Sequence, residues 1–111
     1  MKALLFLVNL AFAAVALAQP YPSKPVKIIV PYPPGGASDI TARLIADKLS
    51  KKWGHGVIVE NKAGASGNLA TEMVAKSAPD GHTLLFSNIS QIVVNTHAYA
   101  SMPVNPVTDL A

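Results

Sequence analysis

A short β-branched segment followed by a glycine-rich loop and a helical pattern, repeated once along the chain, constrains the fold more than any other feature. Val26–Val30 (VKIIV) lies between prolines, and its apolar run predicts a strand buried on both faces. Residues 32–37 (YPPGGA) predict a loop, Ser38 a helix N-cap and Gly54 the helix end. The apolar residues expected to share one face of this helix are Ile40, Leu44, Ile45, Leu49 and Trp53.

The second unit has the same order of elements. Val57–Val59 predicts a strand, residues 62–67 (KAGASG) a loop of small residues, and Asn68 the cap of a helix. Residues 83–86 predict a third strand, and a weaker helical pattern covers residues 90–99. Strands that alternate with helices through short loops predict an α/β fold with a layered, parallel sheet.

The N-terminal segment has the three parts of a secretory signal peptide. Lys2 forms a short positive region, residues 4–17 are apolar, and small residues precede a cleavage point after Ala18. The apolar run is shorter than the ~20 residues that span a bilayer, and Pro20 follows it. We therefore expect residues 1–18 to be removed on export and to take no part in the fold.

Composition and spacing argue against several classes of protein. The chain has no cysteine, so disulfides, thiolate metal sites and a lipoprotein anchor are excluded. The formal charge is +3, but the basic residues are scattered and form no stripe for nucleic acid. The three histidines lack partners at a metal-binding spacing, and the acidic residues show no pairing suited to acid–base catalysis. Because nucleophile and phosphate-loop motifs are also missing, we predict a protein without enzymatic activity, metal or cofactor.

Three loops are expected to meet at one edge of the predicted sheet, since the carboxyl ends of parallel strands lie together. They are residues 32–38, 62–67 and 87–89. Gly35 and Gly36 let the backbone turn sharply and expose its N–H groups, and the start of the next helix adds the positive end of a dipole. This arrangement favours an anion such as a carboxylate. The alternatives are that the glycine loop is only a turn, and that Ser38 and Asn68 are only helix caps.

Three strings of residues are shared, in order and spacing, with a known family. They are residues 21–39 (YPSKPVKIIVPYPPGGASD), 59–68 (VENKAGASGN) and 78–85 (APDGHTLL). Together they resemble the beginning of the Bug proteins, the solute receptors of tripartite tricarboxylate transport systems. Residues 95–99 (NTHAY) and 101–106 (SMPVNP) depart from the family pattern.

This resemblance implies an α/β lobe of a two-lobed, type II periplasmic binding protein that closes on a small carboxylate. It also implies a periplasmic location, and delivery of the solute to the membrane subunits of a tripartite transporter. Backbone groups of the first strand-to-helix loop are implied to hold the carboxylate. The implied ligand-binding residues are Tyr32, Gly35, Gly36, Ala37, Ser38, Asp39, Ser66, Gly67, Asn68, Ser87, Asn88 and Ile89.

We expect residues 19–111 to form part of the first lobe of this solute-binding domain, truncated, with the second lobe absent from the sequence. Two alternatives to a role in uptake are a sensor or partner-docking protein and the non-functional product of a truncated gene. Selectivity among carboxylates is expected to depend largely on side chains of the second lobe.

Overall fold

The computed structural model describes residues 19–110, so the predicted signal peptide and its cleavage point lie outside the described residues. Within that range the chain alternates strands and helices. In chain order the elements are β1 (Val26–Val30), α1 (Ala37–Trp53), β2 (Val57–Asn61), a 3-10 turn (Ala65–Gly67), α2 (Asn68–Ala75), β3 (Thr83–Leu85), a π-helical turn (Ser90–Val94) and α3 (Asn95–Ala98). The predicted order of elements is confirmed.

The three strands form a parallel sheet in the order β2–β1–β3. Ile28 of β1 pairs with Val59 of β2 and with Leu84 of β3, so β1 is the central strand. Val26, Ile29 and Val30 have no exposed surface. The prediction that β1 is buried on both faces is therefore correct, and an apolar run without alternation is what such a position requires.

Helices cover both faces of the sheet. On one face, Ile28 and Val30 form the core with Ala42 and Ala46 of α1. Ile29 points to the opposite face because side chains alternate along a strand, and there α2 contacts β1 and β3. The architecture is a layered α/β fold with a parallel sheet, as predicted.

The face that α1 buries differs from the predicted one. Ile40 and Leu44 are more than half exposed, whereas Asp39, Ala42 and Ala46 are buried. The small alanines let the helix backbone approach the β-branched residues of β1 closely, so they occupy the contact that larger side chains were expected to fill. The apolar spacing alone therefore indicated a helix correctly and its core face incorrectly.

The helix starts also differ from those predicted, whereas the end of α1 agrees. Helix α1 begins at Ala37 with Gly36 as its N-cap, and α2 begins at Asn68 with Gly67 as its N-cap. Ser38 and Asn68 are thus inside the first turns and do not act as caps. Gly54 ends α1 in the left-handed conformation, as expected of a C-terminal glycine.

Among residues 19–110, no helix has the length and hydrophobicity needed to cross a bilayer.

Candidate functional site

The loops that follow β1, β2 and β3 all leave the same edge of the sheet, because the three strands are parallel. The first loop leads into α1, the second runs through the 3-10 turn into α2, and the third leads into the π-helical turn. The structure therefore places the three predicted ligand-facing loops on one side of the molecule.

The first loop and the start of α1 present several backbone N–H groups without a protein acceptor. Gly35 adopts a positive φ of 90°, which reverses the chain before the helix. The first helical bond runs from the N–H of Ile40 to the carbonyl of Gly36. Among residues 19–110, none accepts a hydrogen bond from the N–H of Gly36, Ala37 or Ser38, and no side chain caps the helix. These donors lie at the positive end of a helix of 17 residues.

Asp39 does not direct its carboxylate outward. Its side chain is buried and accepts hydrogen bonds from the N–H of Gly35 at 2.9 Å, from Nε of Arg43 at 3.0 Å and from Nδ2 of Asn61 at 3.0 Å. Asn61 also donates to the carbonyl of Tyr32 at 3.0 Å and accepts from Arg43 at 3.1 Å. This network joins the first loop, α1 and the end of β2.

The same network lowers the pKa of Asp39. The guanidinium of Arg43 is the largest cause of a lowered pKa, followed by the N–H of Gly35 and the amide of Asn61, which together bring the pKa of Asp39 to about 2. Asp39 is therefore ionised at neutral pH. Since Arg43 is paired with it, and Lys62 is paired with Glu60 at 3.0 Å, both cations near this edge already have acidic partners.

The second loop carries backbone strain. Ala65 and Ser66 have positive φ angles of 47° and 54°, which non-glycine residues seldom adopt. The carbonyl of Ser66 accepts hydrogen bonds from Nε2 of Gln91 at 3.1 Å and Nδ2 of Asn95 at 2.9 Å. These two buried amides hold the strained turn in place, which is the condition for strain to persist.

Two adjoining clefts lie at this edge and share Tyr32 and Pro33. The first has a volume of ≈ 350 Å³, and the second, between the first and second loops, has a volume of ≈ 470 Å³. The first is lined by Tyr32, Pro33, Pro34, Gly36, Ala37 and Ser38. The second is lined by Pro31, Tyr32, Pro33, Ala63, Gly64, Ser66, Gly67, Ser90, Gln91, Val94 and Asn95. Both volumes are in the range that small ligands occupy.

The predicted site residues divide into two groups. Tyr32, Gly36, Ala37, Ser38, Ser66 and Gly67 line the clefts. The other predicted residues are at the same edge but do not line them: Gly35, Asp39, Asn68, Ser87, Asn88 and Ile89. Asn68 is buried and accepts a hydrogen bond from Asn95 at 2.7 Å. Contact of any of these residues with a ligand stays a prediction.

Sequence reasoning missed the polar side chains that hold the loops together. Gln91, Asn95 and Asn61 each bond to one or more of the loops, and Arg43 bonds to Asp39 and Asn61 beside them. Gln91 and Asn95 also line the second cleft. One signal was present: Gln91 and Asn95 lie four residues apart in the weak helical segment, so they share a face.

Residues 19–110 contain no cluster of three or more potential metal ligands.

The fold, with its site at the carboxyl edge of a parallel sheet, defines the class of protein. Solved structures of similar fold are periplasmic binding proteins. MatC of Rhodopseudomonas palustris with bound malate superposes with a TM-score of 0.76 at 35% identity, over 80% of this chain and 30% of MatC. A second R. palustris protein with adipate gives a TM-score of 0.70 at 34% identity, over 79% of this chain and 29% of that protein.

The chain belongs to the family described as the tripartite tricarboxylate transporter family receptor, which matches residues 41–111. Protein BugT of Bordetella pertussis is 41% identical over 107 residues, which are 96% of this chain and 33% of BugT. The resemblance to the Bug proteins is thus confirmed. The family is one of solute-binding receptors and not of enzymes, and the chain spans about a third of the length of this relative.

Proposed function

We propose that this chain forms one wall of the ligand cleft in a periplasmic receptor that captures a small carboxylate for a tripartite tricarboxylate-type transporter. The carboxylate binds to the main-chain N–H groups of Gly36, Ala37 and Ser38. In this proposal the receptor then delivers its ligand to the membrane subunits of the transporter. Binding and release of a solute are its whole activity, without chemical change of the ligand.

The observation that carries this proposal is that three residues lining the first cleft at the start of α1 have N–H groups without an acceptor among residues 19–110. Backbone donors at a helix start suit an anion because they combine hydrogen bonds with the positive end of the dipole. Arg43 and Lys62, which lie near this edge, are already paired with acidic side chains. This pairing favours binding of an anion by the backbone N–H groups over binding by these two cations. Malate and adipate, which are bound by two similar proteins, are both small carboxylates.

Replacement of Ala37 by proline tests the proposal because it removes one of these N–H groups and changes little else. Ala37 is the first residue of α1, a position where proline is well tolerated. The preceding residue, Gly36, has φ −79° and ψ 170°, an extended conformation that is compatible with a following proline. Ala37 is exposed, so the proline ring meets no core contact.

We expect Ala37→Pro to weaken malate or adipate binding about tenfold or more, since a hydrogen bond to a charged group contributes about 1.5–3 kcal/mol. Isothermal titration on the protein as exported measures this change. Ala37→Ser keeps the N–H and is the matched control, with affinity close to that of the wild type. Equal affinities for Ala37→Pro and Ala37→Ser, with both proteins folded, would contradict a role for this amide.

A further inference from the structure

The side chain of Gln91 touches all three ligand-facing loops at once. Its Oε1 accepts hydrogen bonds from the hydroxyl of Tyr32 at 3.1 Å, the hydroxyl of Ser87 at 3.2 Å and the N–H of Asn88 at 3.3 Å. Its Nε2 donates to the carbonyl of Ser66 at 3.1 Å. These four partners belong to the loops that follow β1, β2 and β3.

The orientation of this amide is fixed by its surroundings. The N–H of Asn88 can only donate and the carbonyl of Ser66 can only accept, so a rotated amide would face a donor with a donor and an acceptor with an acceptor. Gln91 is 1% exposed, and water therefore has little access to replace these bonds. Loss of one of these hydrogen bonds would leave a buried polar atom without a partner, which would destabilise the folded protein. The four contacts are therefore maintained together.

The second loop is shaped to meet Gln91. A Cβ atom on Gly67 would lie 2.6 Å from Nε2 of Gln91, closer than side-chain atoms approach one another. Absence of a side chain at this position lets the strained turn pack directly against the amide. Asn95, one helical turn further on, holds the same carbonyl of Ser66.

We propose that Gln91 is a positioning residue that sets the spacing of the three loops around the ligand, an inference that rests on the proposed function for its consequence in binding. Gln91 acts through Tyr32 on the first loop, through Ser66 on the second and through Asn88 on the third. A displacement of one loop is then transmitted to the other two through a single side chain.

The contacts to the first and second loops can be removed separately and all four can be removed together, which makes the proposal testable. Gln91→Met keeps the approximate volume and removes every hydrogen bond. Gln91→Glu, when ionised, still accepts from Tyr32 and Asn88 but has no hydrogen for the carbonyl of Ser66. Tyr32→Phe removes only the connection to the first loop. Thr96→Val, in α3 and bonded to the carbonyl of Val93, is a control that touches none of the three loops.

Backbone amide chemical shifts and hydrogen exchange of the ¹⁵N-labelled full chain give the first readout. We expect Gln91→Met to perturb the amides of all three loops, Gln91→Glu chiefly those of 66–68, and Tyr32→Phe chiefly those of 35–38. Lowering the pH until the introduced glutamate is protonated should restore the 66–68 pattern. If Gln91 only stabilised the fold, the variants would lower the melting temperature, but each would not perturb the amides of a different set of loops.

Malate and adipate titrations give the second readout. We expect Gln91→Met to weaken binding tenfold or more, and its effect to be smaller when Tyr32→Phe is already present, because part of it acts through Tyr32. If the wild type binds neither acid, the proposed function fails, and the amide pattern still decides the role of Gln91. Amides at 35–38 and 66–68 that stay unchanged in Gln91→Met would overturn the inference, as would equal perturbation of all loops by Gln91→Glu.

Discussion

The carboxylate of Asp39 accepts a hydrogen bond from the N–H of Gly35, four residues earlier in the chain, across 2.9 Å between Oδ2 and N. One donor of the glycine loop is therefore used within the protein, and the N–H groups that remain for an anion begin at Gly36. Because Arg43 and Asn61 donate to the same carboxylate, the negative charge of Asp39 is balanced at the place where an acidic ligand is proposed to bind.

Asp39→Asn tests whether this carboxylate fixes the loop. The amide keeps one oxygen, which can still accept from the N–H of Gly35 and from Nε of Arg43 at 3.1 Å. Its NH₂ group then faces the Nδ2 donor of Asn61, and a donor opposite a donor cannot bond. We expect the thermal midpoint to fall by several degrees and carboxylate affinity to weaken. Circular dichroism and titration measure the two effects. A variant with unchanged midpoint and unchanged affinity would show that the loop holds its shape without this charge.

The pH dependence of stability follows from the same group and from Asp80. The pKa of Asp39 is lowered from 3.8 to about 2, chiefly by Arg43, and that of Asp80 likewise to about 2, chiefly by Lys24. A carboxyl with a lowered folded-state pKa stabilises the fold above its unfolded pKa, and this contribution is lost as the pH falls through the folded pKa. We expect the melting midpoint to be nearly constant above pH ~5 and to fall between pH ~4 and ~2.

Two substitutions separate these contributions. Asp39→Asn and Lys24→Met should each make the acid-side fall shallower, since each removes one of the ion pairs whose loss causes it. Melting curves recorded at a series of pH values provide the comparison. An acid limb as steep in both variants as in the wild type would mean that other groups govern acid unfolding.

Gly35 and Gly67 offer a matched pair of glycine substitutions. Their φ angles are 90° and 89°, so alanine is forced to a positive φ at both, which costs about 1–2 kcal/mol. A Cβ on Gly35 has nothing within 4 Å, whereas one on Gly67 would collide with Gln91. We expect Gly67→Ala to cost about 1–3 kcal/mol more than Gly35→Ala, the usual range for overpacking. Urea unfolding measures both, and equal losses would indicate that Gln91 moves aside without cost.

Much of the fold could be predicted from the sequence because it depends on local patterns. The apolar run of β1, the loop compositions and the helical spacing that follows them each reflect a short-range physical requirement. The order β2–β1–β3 was not predicted, since it depends on how the chain crosses over the sheet and not on any one segment. The loops nevertheless converge, because parallel pairing of any order places their ends together.

The site could be predicted only at the level of the backbone. Glycines before a helix indicate N–H groups without a protein acceptor wherever the loop is placed, and no described residue accepts from the N–H of Gly36, Ala37 or Ser38. Two of the partners of Gln91, Ser66 and Tyr32, are 25 and 59 residues away, and no local pattern specifies such pairs. Glutamine in a weakly amphipathic helix is usually a solvated residue, so its burial followed only from the tertiary structure.

The core face of α1 shows where hydrophobic spacing fails. Leu44 is 61% exposed and Ala46 is 4% exposed within the described chain. A helix that packs closely on a sheet of β-branched residues needs small side chains at the contact, so the largest apolar residues are not a guide to the buried stripe. We therefore expect the free energy of unfolding to depend on the side-chain volume at position 46 more than on the hydrophobicity of the side chain at position 44.

Ala46→Leu and Leu44→Ala test this reversal in the same helix of the 111-residue chain. We expect Ala46→Leu to destabilise it by about 1–3 kcal/mol, because the added isopropyl group must displace Ile28 or Val30. Leu44→Ala should change the free energy of unfolding by less than about 0.5 kcal/mol, since an exposed side chain is shortened and alanine favours the helix. Chemical denaturation of both variants decides the matter: a larger loss for Leu44→Ala would mean that this face of α1 is packed in solution.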